Sequence, residues 1–211
     1  SAYVASEPYG VKMRLCDDQL AINNSRMQFE NFQLFARNGN ALTLYGYFDF
    51  ADFDRMQTYL RMRADNYLLI DSKENARSEA YGKAYVNFLG LVDGPLDALR
   101  MRGKLDVLGS SNVTYILRDS PLSTENQLDG LVKFVNFRKP ETATVAKPPI
   151  NGLNMDLTVN VDDGAHVLCA LNPDKSNYVD LIGGGNLRML YTAIDGLSLY
   201  GRYTIAEGEM K

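Results

Sequence analysis

The chain has 211 residues, with 26 acidic against 22 basic side chains and a net charge of −4. That balance excludes a general nucleic-acid binder, whose affinity rests on a concentrated basic face. At 45% hydrophobic and 23% charged it has the make-up of a folded domain, and no uncharged apolar run approaches the ~18 residues that span a bilayer.

Alternation of apolar and polar residues recurs almost from end to end. Side chains on a strand point to opposite faces in turn, so such alternation marks half-buried strands. Val11, Met13 and Leu15 share a face, as do Phe32, Leu34 and Ala36. Asn38-Gly39 is a hairpin signal, because both residue types tolerate positive φ. Leu42, Leu44, Gly46, Phe48 and Phe50 then keep one phase. A short helix is expected near Asp54 to Tyr59. Arg61-Met-Arg63 reads as an outward charged row on a strand. Gly82 leads into Ala84, Val86 and Phe88, within an apolar run from Ala84 to Val92. Asp93-Gly94-Pro95 reads as a turn. Leu99, Met101, Gly103, Leu105 and Val107 repeat the pattern of residues 42–50, and Val113, Tyr115 and Leu117 continue the alternation.

Between these strands and the last third the pattern changes. Thr124 and Gln127 form a potential capping box, with Leu128, Leu131, Val132 and Val135 behind it at helical spacing. Pro140, Pro148 and Pro149 mark residues 139–149 as a loop. Met155, Leu157, Val159 and Val161 then alternate with polar residues, and Asp163-Gly164 is a second hairpin signal. Ala165, Val167, Cys169 and Leu171 are in phase, and Asn172-Pro173-Asp174 breaks the chain. Val179, Leu181, Gly183, Gly185, Leu187, Met189 and Tyr191 keep one phase. After the hairpin signal Asp195-Gly196 come Leu197, Leu199, Gly201, Tyr203 and Ile205. The reading is one all-β unit over 1–211, an elongated, curved, antiparallel or mixed sheet with one or two short helices.

Three of these strands place a glycine centrally, at Gly46, Gly103 and Gly201. Mid-strand glycine weakens a strand and marks a bend or bulge, and its recurrence suggests a sheet that curves at one level. Tyr numbers 13 while Trp is absent, which suits half-buried strand surfaces. The chemistry of catalysis is missing from the pattern. The single histidine, His166, falls on the polar phase of a strand. Cys16 and Cys169 do not make a disulfide framework, and spacing leaves open whether they pair. Asp49, Asp52 and Asp54 read as a solvated strand end. Gly183-Gly184-Gly185 lies inside a strand pattern, where a phosphate-cradling loop would link strand to helix. Gly109-Ser110-Ser111 has no nucleophile elbow. No enzyme, metal or cofactor is expected.

The order of several segments resembles the C-terminal region of TamB proteins. The segments are Gly103-Lys-Leu-Asp-Val-Leu-Gly109, Asn112-Val-Thr-Tyr-Ile-Leu117 and Asp119-Ser-Pro-Leu122, then Gly152-Leu-Asn-Met-Asp-Leu-Thr-Val-Asn-Val161 and Ser176-Asn-Tyr-Val-Asp-Leu181. Gly183-Gly-Gly-Asn-Leu187, Leu199-Tyr-Gly-Arg-Tyr203 and Gly208-Glu-Met210 follow. The resemblance runs from about Leu42 onward and is strongest after Met101, and the Gly-rich segment resembles TamB-like proteins of Bacteroides-type bacteria.

That resemblance implies a periplasmic segment of a long AsmA-like protein, held in the inner membrane by an N-terminal helix that this chain does not include. It implies a curved half-pipe sheet, the β-taco, with a greasy groove. It implies a role in outer-membrane assembly with an Omp85-type barrel partner, and in moving phospholipid toward the outer membrane. The groove lining would be Leu42, Leu44, Phe48, Phe50, Leu99, Met101, Leu105, Val107, Leu157, Val159, Leu187, Met189, Leu197, Leu199, Tyr203 and Ile205. Phospholipid or another acyl lipid would be the ligand. Alternation alone leaves two structures open, a closed core and an open trough; the resemblance favours the trough. Three functions follow as rivals: a lipid conduit, an assembly factor that pairs strand edges with outer-membrane proteins, and a structural surface or adhesin repeat.

Overall fold

A computed structural model describes residues 2–17, 20–117, 152–192 and 194–211. All regular elements among them are strands. They are β1 (Tyr3–Ser6), β2 (Val11–Leu15), β3 (Ala21–Asn23), β4 (Arg26–Phe35), β5 (Ala41–Asp49), β6 (Gln57–Ser72), β7 (Ala80–Pro95), β8 (Leu99–Val107), β9 (Asn112–Ile116), β10 (Leu153–Ala170), β11 (Tyr178–Thr192) and β12 (Gly196–Met210). They build one 12-stranded sheet in the order β1-β2-β4-β5-β6-β7-β8-β10-β11-β12. β3 pairs with β4, and β9 pairs with both β7 and β10. Pairing is antiparallel throughout, except that β8 and β9 run parallel to β10.

β8 and β9 together occupy one lane between β7 and β10, broken at residues 108–111. The break is repaired locally. The amide of Leu108 donates to the Tyr85 carbonyl, and the Ser111 hydroxyl accepts from the Tyr85 amide and donates to the Tyr85 carbonyl. A buried side-chain hydroxyl thus replaces ladder bonds that the missing backbone cannot make, as buried backbone groups require. This is what the serine of Gly109-Ser110-Ser111 does.

Irregular pairing lines up across the sheet. One cross-strand row runs Tyr67–Val86–Val107–Val161–Gly185–Tyr203. At or beside it β6 bulges on both sides of Tyr67, β8 gives way to β9, β10 bulges between Val161 and Ala165, and the β11–β12 register shifts at Ile182/Gly183. Bulges bend a strand and raise its twist, so this row is the level at which the sheet bends. Asparagine makes one of these bulges affordable in strain. Asn66 has φ of 45°, a conformation that asparagine adopts more readily than most residues. Its amide donates to Asn87 Oδ1, and its carbonyl accepts from the side-chain amides of Asn38 and Asn40, each bond 2.7 Å. The Asn38-Gly39 turn is therefore docked on the β6 bulge.

Four expectations are corrected. The helix near Asp54 to Tyr59 is absent. The Asp52 carboxylate accepts from the Asp54 amide and the Asp52 carbonyl from the Arg55 amide, closing a turn, and Gln57, Thr58 and Tyr59 already pair with β5. Asp163-Gly164 makes no hairpin; it is a bulge inside β10, which continues because β9 and β11 pair with its second half. Asp93-Gly94-Pro95 ends β7 inside the ladder with β6; the turn comes after it. Gly46, Gly103 and Gly201 do not share a level. They fall in three adjacent rows, because the repeated motif is offset by two residues from β5 to β8 and again from β8 to β12. The capping box at Thr124 and the loop 139–149 lie outside the described residues. Asn38-Gly39 and Asp195-Gly196 do join consecutive antiparallel strands, with φ of 85° and 70° at the glycines.

The β1–β2 hairpin turns back over the sheet. The Pro8 carbonyl accepts from the amides of Glu79 and Ala80, and the Gly10 carbonyl from the amide of Asp71. Met13 packs against a buried cluster of Ala36, Ala64, Tyr67, Leu68 and Val86, with Leu42, Phe88 and Leu105 at its border. This is the core of the molecule, and it sits at the bend level beneath the hairpin.

Candidate functional site

The register brings the apolar stripes of eight strands onto one face. One row reads Phe32–Leu44–Met62–Gly90–Gly103–Leu157–Met189–Leu199. The row on one side reads Leu34–Leu42–Ala64–Phe88–Leu105–Val159–Leu187–Gly201, and the row on the other Phe29–Gly46–Leu60–Val92–Met101–Met155–Tyr191–Leu197. Leu99 pairs with Leu153 below, and Val107 with Val161 above. Phe48 lies opposite Met27 and Thr58. Phe50, one residue past β5, stacks its ring 6.1 Å from that of Phe48. Tyr203 and Ile205 sit opposite Gly185 and Gly183. Register sets the expected lining residues within the strands in one phase, Leu197 by its backbone position alone, and β6 and β7 add Leu60, Met62, Phe88 and Val92. Leu60 and Met62 were hidden in sequence because the Arg-x-Arg segment drew the reading to the charged side of that strand.

Among the described elements the β1–β2 hairpin covers this face at the bend level, where Met13 packs near Leu42, Ala64, Phe88 and Leu105; elsewhere no second layer covers it, and its burial is graded. Leu157 and Val159, mid-sheet, are each 5% exposed, whereas Leu199 and Ile205 on β12 are each 54% exposed. Between these limits Leu42, Phe48, Leu60, Met62, Phe88, Leu99, Met101, Leu105, Val107, Leu187 and Met189 are half-buried. A fully closed core buries most such residues completely. Here each is sheltered by its neighbours on a curved sheet and retains apolar area. Close strand approach makes the curvature possible. At Gly46, Gly103 and Gly201 the place a Cβ would take is filled by the carbonyl oxygen of Tyr59, Leu89 and Asn186 respectively.

The opposite face is polar and ion-paired. Arg188 clamps Asp156 through two bonds of 3.0 and 2.7 Å, and that contact lowers the Asp156 pKa. Arg100 binds Asp93, Asn160 binds Asp106, and His166 pairs with Asp180. The Ala51 amide, and after it Arg26, holds Asp49 below the usual carboxylate range. Two leucines break the polarity: Leu91 stands between Arg61 and Arg102, and Leu89 between Arg63 and Lys104. A depression of about 530 Å³ opens there, over Gly90 and Gly103. It lies on the reverse of the apolar stripe.

Nothing in this arrangement activates a nucleophile. Cys16 and Cys169 are free, and burial pushes the Cys169 thiol up, away from the reactive thiolate. Among the described residues no three His, Cys, Asp or Glu side chains come together as metal ligands. No helix there is long and apolar enough to cross a membrane.

Among the described residues, fold and face define a class: one extended β-sheet, folded back on itself at the β1–β2 hairpin, with an apolar face and a charged face. The chain belongs to the TamB family, since its residues 30–211 match the TamB C-terminal domain. That places it among TamB-like outer-membrane biogenesis proteins and is consistent with a periplasmic segment. No curated protein and no solved structure matches it.

Proposed function

We propose that the apolar face is a groove that holds the acyl chains of phospholipid in transit through the periplasm between the inner and outer membranes. The observation that carries this reading is the apolar row system that runs from β4 to β12 and, away from the β1–β2 hairpin, is left half-buried with no covering layer among the described residues. Each methylene taken up from water is favourable by about 0.8 kcal/mol, so a few buried carbons of an acyl chain suffice for retention. The charged reverse face keeps the sheet wetted on one side, as a conduit crossing an aqueous space requires. The work is passive and needs no catalytic residue. Mass spectrometry of organic extracts from the purified chain, expressed in cells with a double membrane, tests it. Co-purified phospholipid is expected at near-stoichiometric amounts; a lipid-free protein sinks the reading.

A second reading has its own observation. Among the described residues β12 pairs with β11 alone, which leaves its other edge along Gly196–Met210 for a partner strand. An outer-membrane protein strand, or an Omp85-type barrel, could add there by β-augmentation. Glu207 and Glu209 on that strand disfavour indiscriminate pairing. Lysine at the polar-phase edge positions Ser198, Tyr200 and Thr204 would discourage an added strand while leaving the apolar row in place, and would separate the two readings.

A further inference from the structure

On the charged face, where β2 meets β4, three cations converge on one cavity. The row Tyr3–Arg14–Phe35 crosses β1, β2 and β4, and Lys12 lies two residues along β2 on the same face. Lys12 Nζ sits 4.7 Å from the centre of the Tyr3 ring, and the Arg14 guanidinium 4.6 Å from the centre of the Phe35 ring. With Arg37 and Gly39 of the following turn, these side chains line a cavity of about 580 Å³.

The charges there are not balanced by the protein. Arg37 binds Asp71 at 3.1 Å. Lys12 and Arg14 have no ion-pair partner among the described residues; Arg14 reaches only the Leu15 carbonyl, at 3.4 Å. Three cations against one carboxylate leave an excess of two positive charges, in a chain whose net charge is −4. The rings matter to the geometry. A guanidinium lying on a ring face is held in place by the ring quadrupole, yet its in-plane N–H donors stay free to turn outward. An ammonium held the same way keeps its three donors.

We propose that this cavity binds a phosphate-type oxyanion, either free or as the phosphate of a lipid headgroup. A tetrahedral anion can accept from Lys12, Arg14 and Arg37 at once, and the local excess of positive charge favours both a free phosphate and the singly charged diester of a lipid headgroup. Arg is suited to bidentate phosphate contacts, and Lys supplies a point charge. The cavity lies on the face opposite the apolar groove, so the proposal stands apart from the conduit reading.

Two titrations test it. Inorganic phosphate is added at low salt to isotope-labelled protein while amide resonances of residues 12–14 and 35–39 are followed. In parallel, the protein is sedimented with phosphatidylcholine vesicles, with and without phosphatidylglycerol. Saturable shifts confined to those residues, weakening as salt rises, are expected. Lys12→Gln and Arg14→Gln should each weaken binding by about tenfold. Arg61→Gln, which removes the same charge elsewhere on that face, should leave it unchanged. Phosphate binding alone assigns a free anion. Vesicle binding that needs phosphatidylglycerol and is lost in Lys12→Gln assigns a headgroup. Should Arg14→Gln fail to fold, Lys12→Gln carries the test, checked by an unchanged melting curve. No saturable binding in either titration, or equal losses in Arg61→Gln and Lys12→Gln, overturns the proposal.

Discussion

Tyr67 is 2% exposed and its hydroxyl has no hydrogen-bond partner among the described residues. An orphaned buried hydroxyl costs about 1–3 kcal/mol, so Tyr67→Phe is expected to raise the urea midpoint. The pH dependence has a defined sign. Burial pushes the Tyr67 pKa from 10.0 up to about 12. Below pH 10 the side chain is neutral in both folded and unfolded chains. Between about 10 and 12 the unfolded chain loses the proton while the folded one keeps it, so stability falls as pH rises through this window. The advantage of Tyr67→Phe should therefore grow from pH 10 to 12; parallel stability curves would refute the assignment. Sequence did not single out Tyr67. Asp65-Asn66 interrupts the alternation, and only the left-handed backbone at Asn66 returns Tyr67 to the apolar face.

Strands here are limited by how closely they approach one another. Gly46 and Gly201 combine φ of 135° and 140° with a neighbouring carbonyl at the Cβ position, while Gly103 meets the Leu89 carbonyl with no positive φ. Alanine at Gly103 must push two strands apart, at a cost of about 1–3 kcal/mol by analogy with overpacked cores. Gly39, in its turn, has nothing within 4 Å, so Gly39→Ala bears only the backbone penalty of about 1–2 kcal/mol. Equilibrium unfolding should rank Gly46→Ala and Gly201→Ala as the most damaging, because they suffer both effects. If all three tolerate alanine better than Gly39 does, the strands are not so tightly apposed. The importance of these glycines was legible from their place in the apolar phase. Their levels were not, since the offset between motifs is a property of register and no single strand contains it.

At the scale of the molecule, the two faces must behave differently toward lipid. Leu105 lies in the row Leu42–Ala64–Phe88–Leu105–Val159–Leu187. Asp106 faces the other way, bonded to Asn160 at 2.8 Å and 3.5 Å from Lys104. A photo-crosslinking residue at 105 should capture phospholipid in living cells, and one at 106 should not. Leu199 and Tyr200 on the edge strand should show the same preference with less contrast, because both are more than half exposed. Equal labelling at 105 and 106, or none at either in a functional full-length protein, would count against the conduit and favour a structural role for the face.

Local pattern determined which residues become strand and which side chains share a phase. Alternation is a property of neighbours along the chain, and it marked the stripes from Leu42 to Phe50, Leu99 to Val107, Met155 to Val161 and Leu197 to Ile205. The family resemblance added the open, curved form. Tertiary pairing decided the rest. It ran β10 through Asp163-Gly164, because strands on both sides supply partners for its second half. It set β8 and β9 in one lane parallel to β10, an arrangement that depends on residues far apart in sequence. It also placed Lys12, Arg14 and Arg37 around one cavity. Which backbone a strand pairs with, and at what stagger, is settled by hydrogen bonds between distant segments, and one strand read alone carries no record of its neighbour.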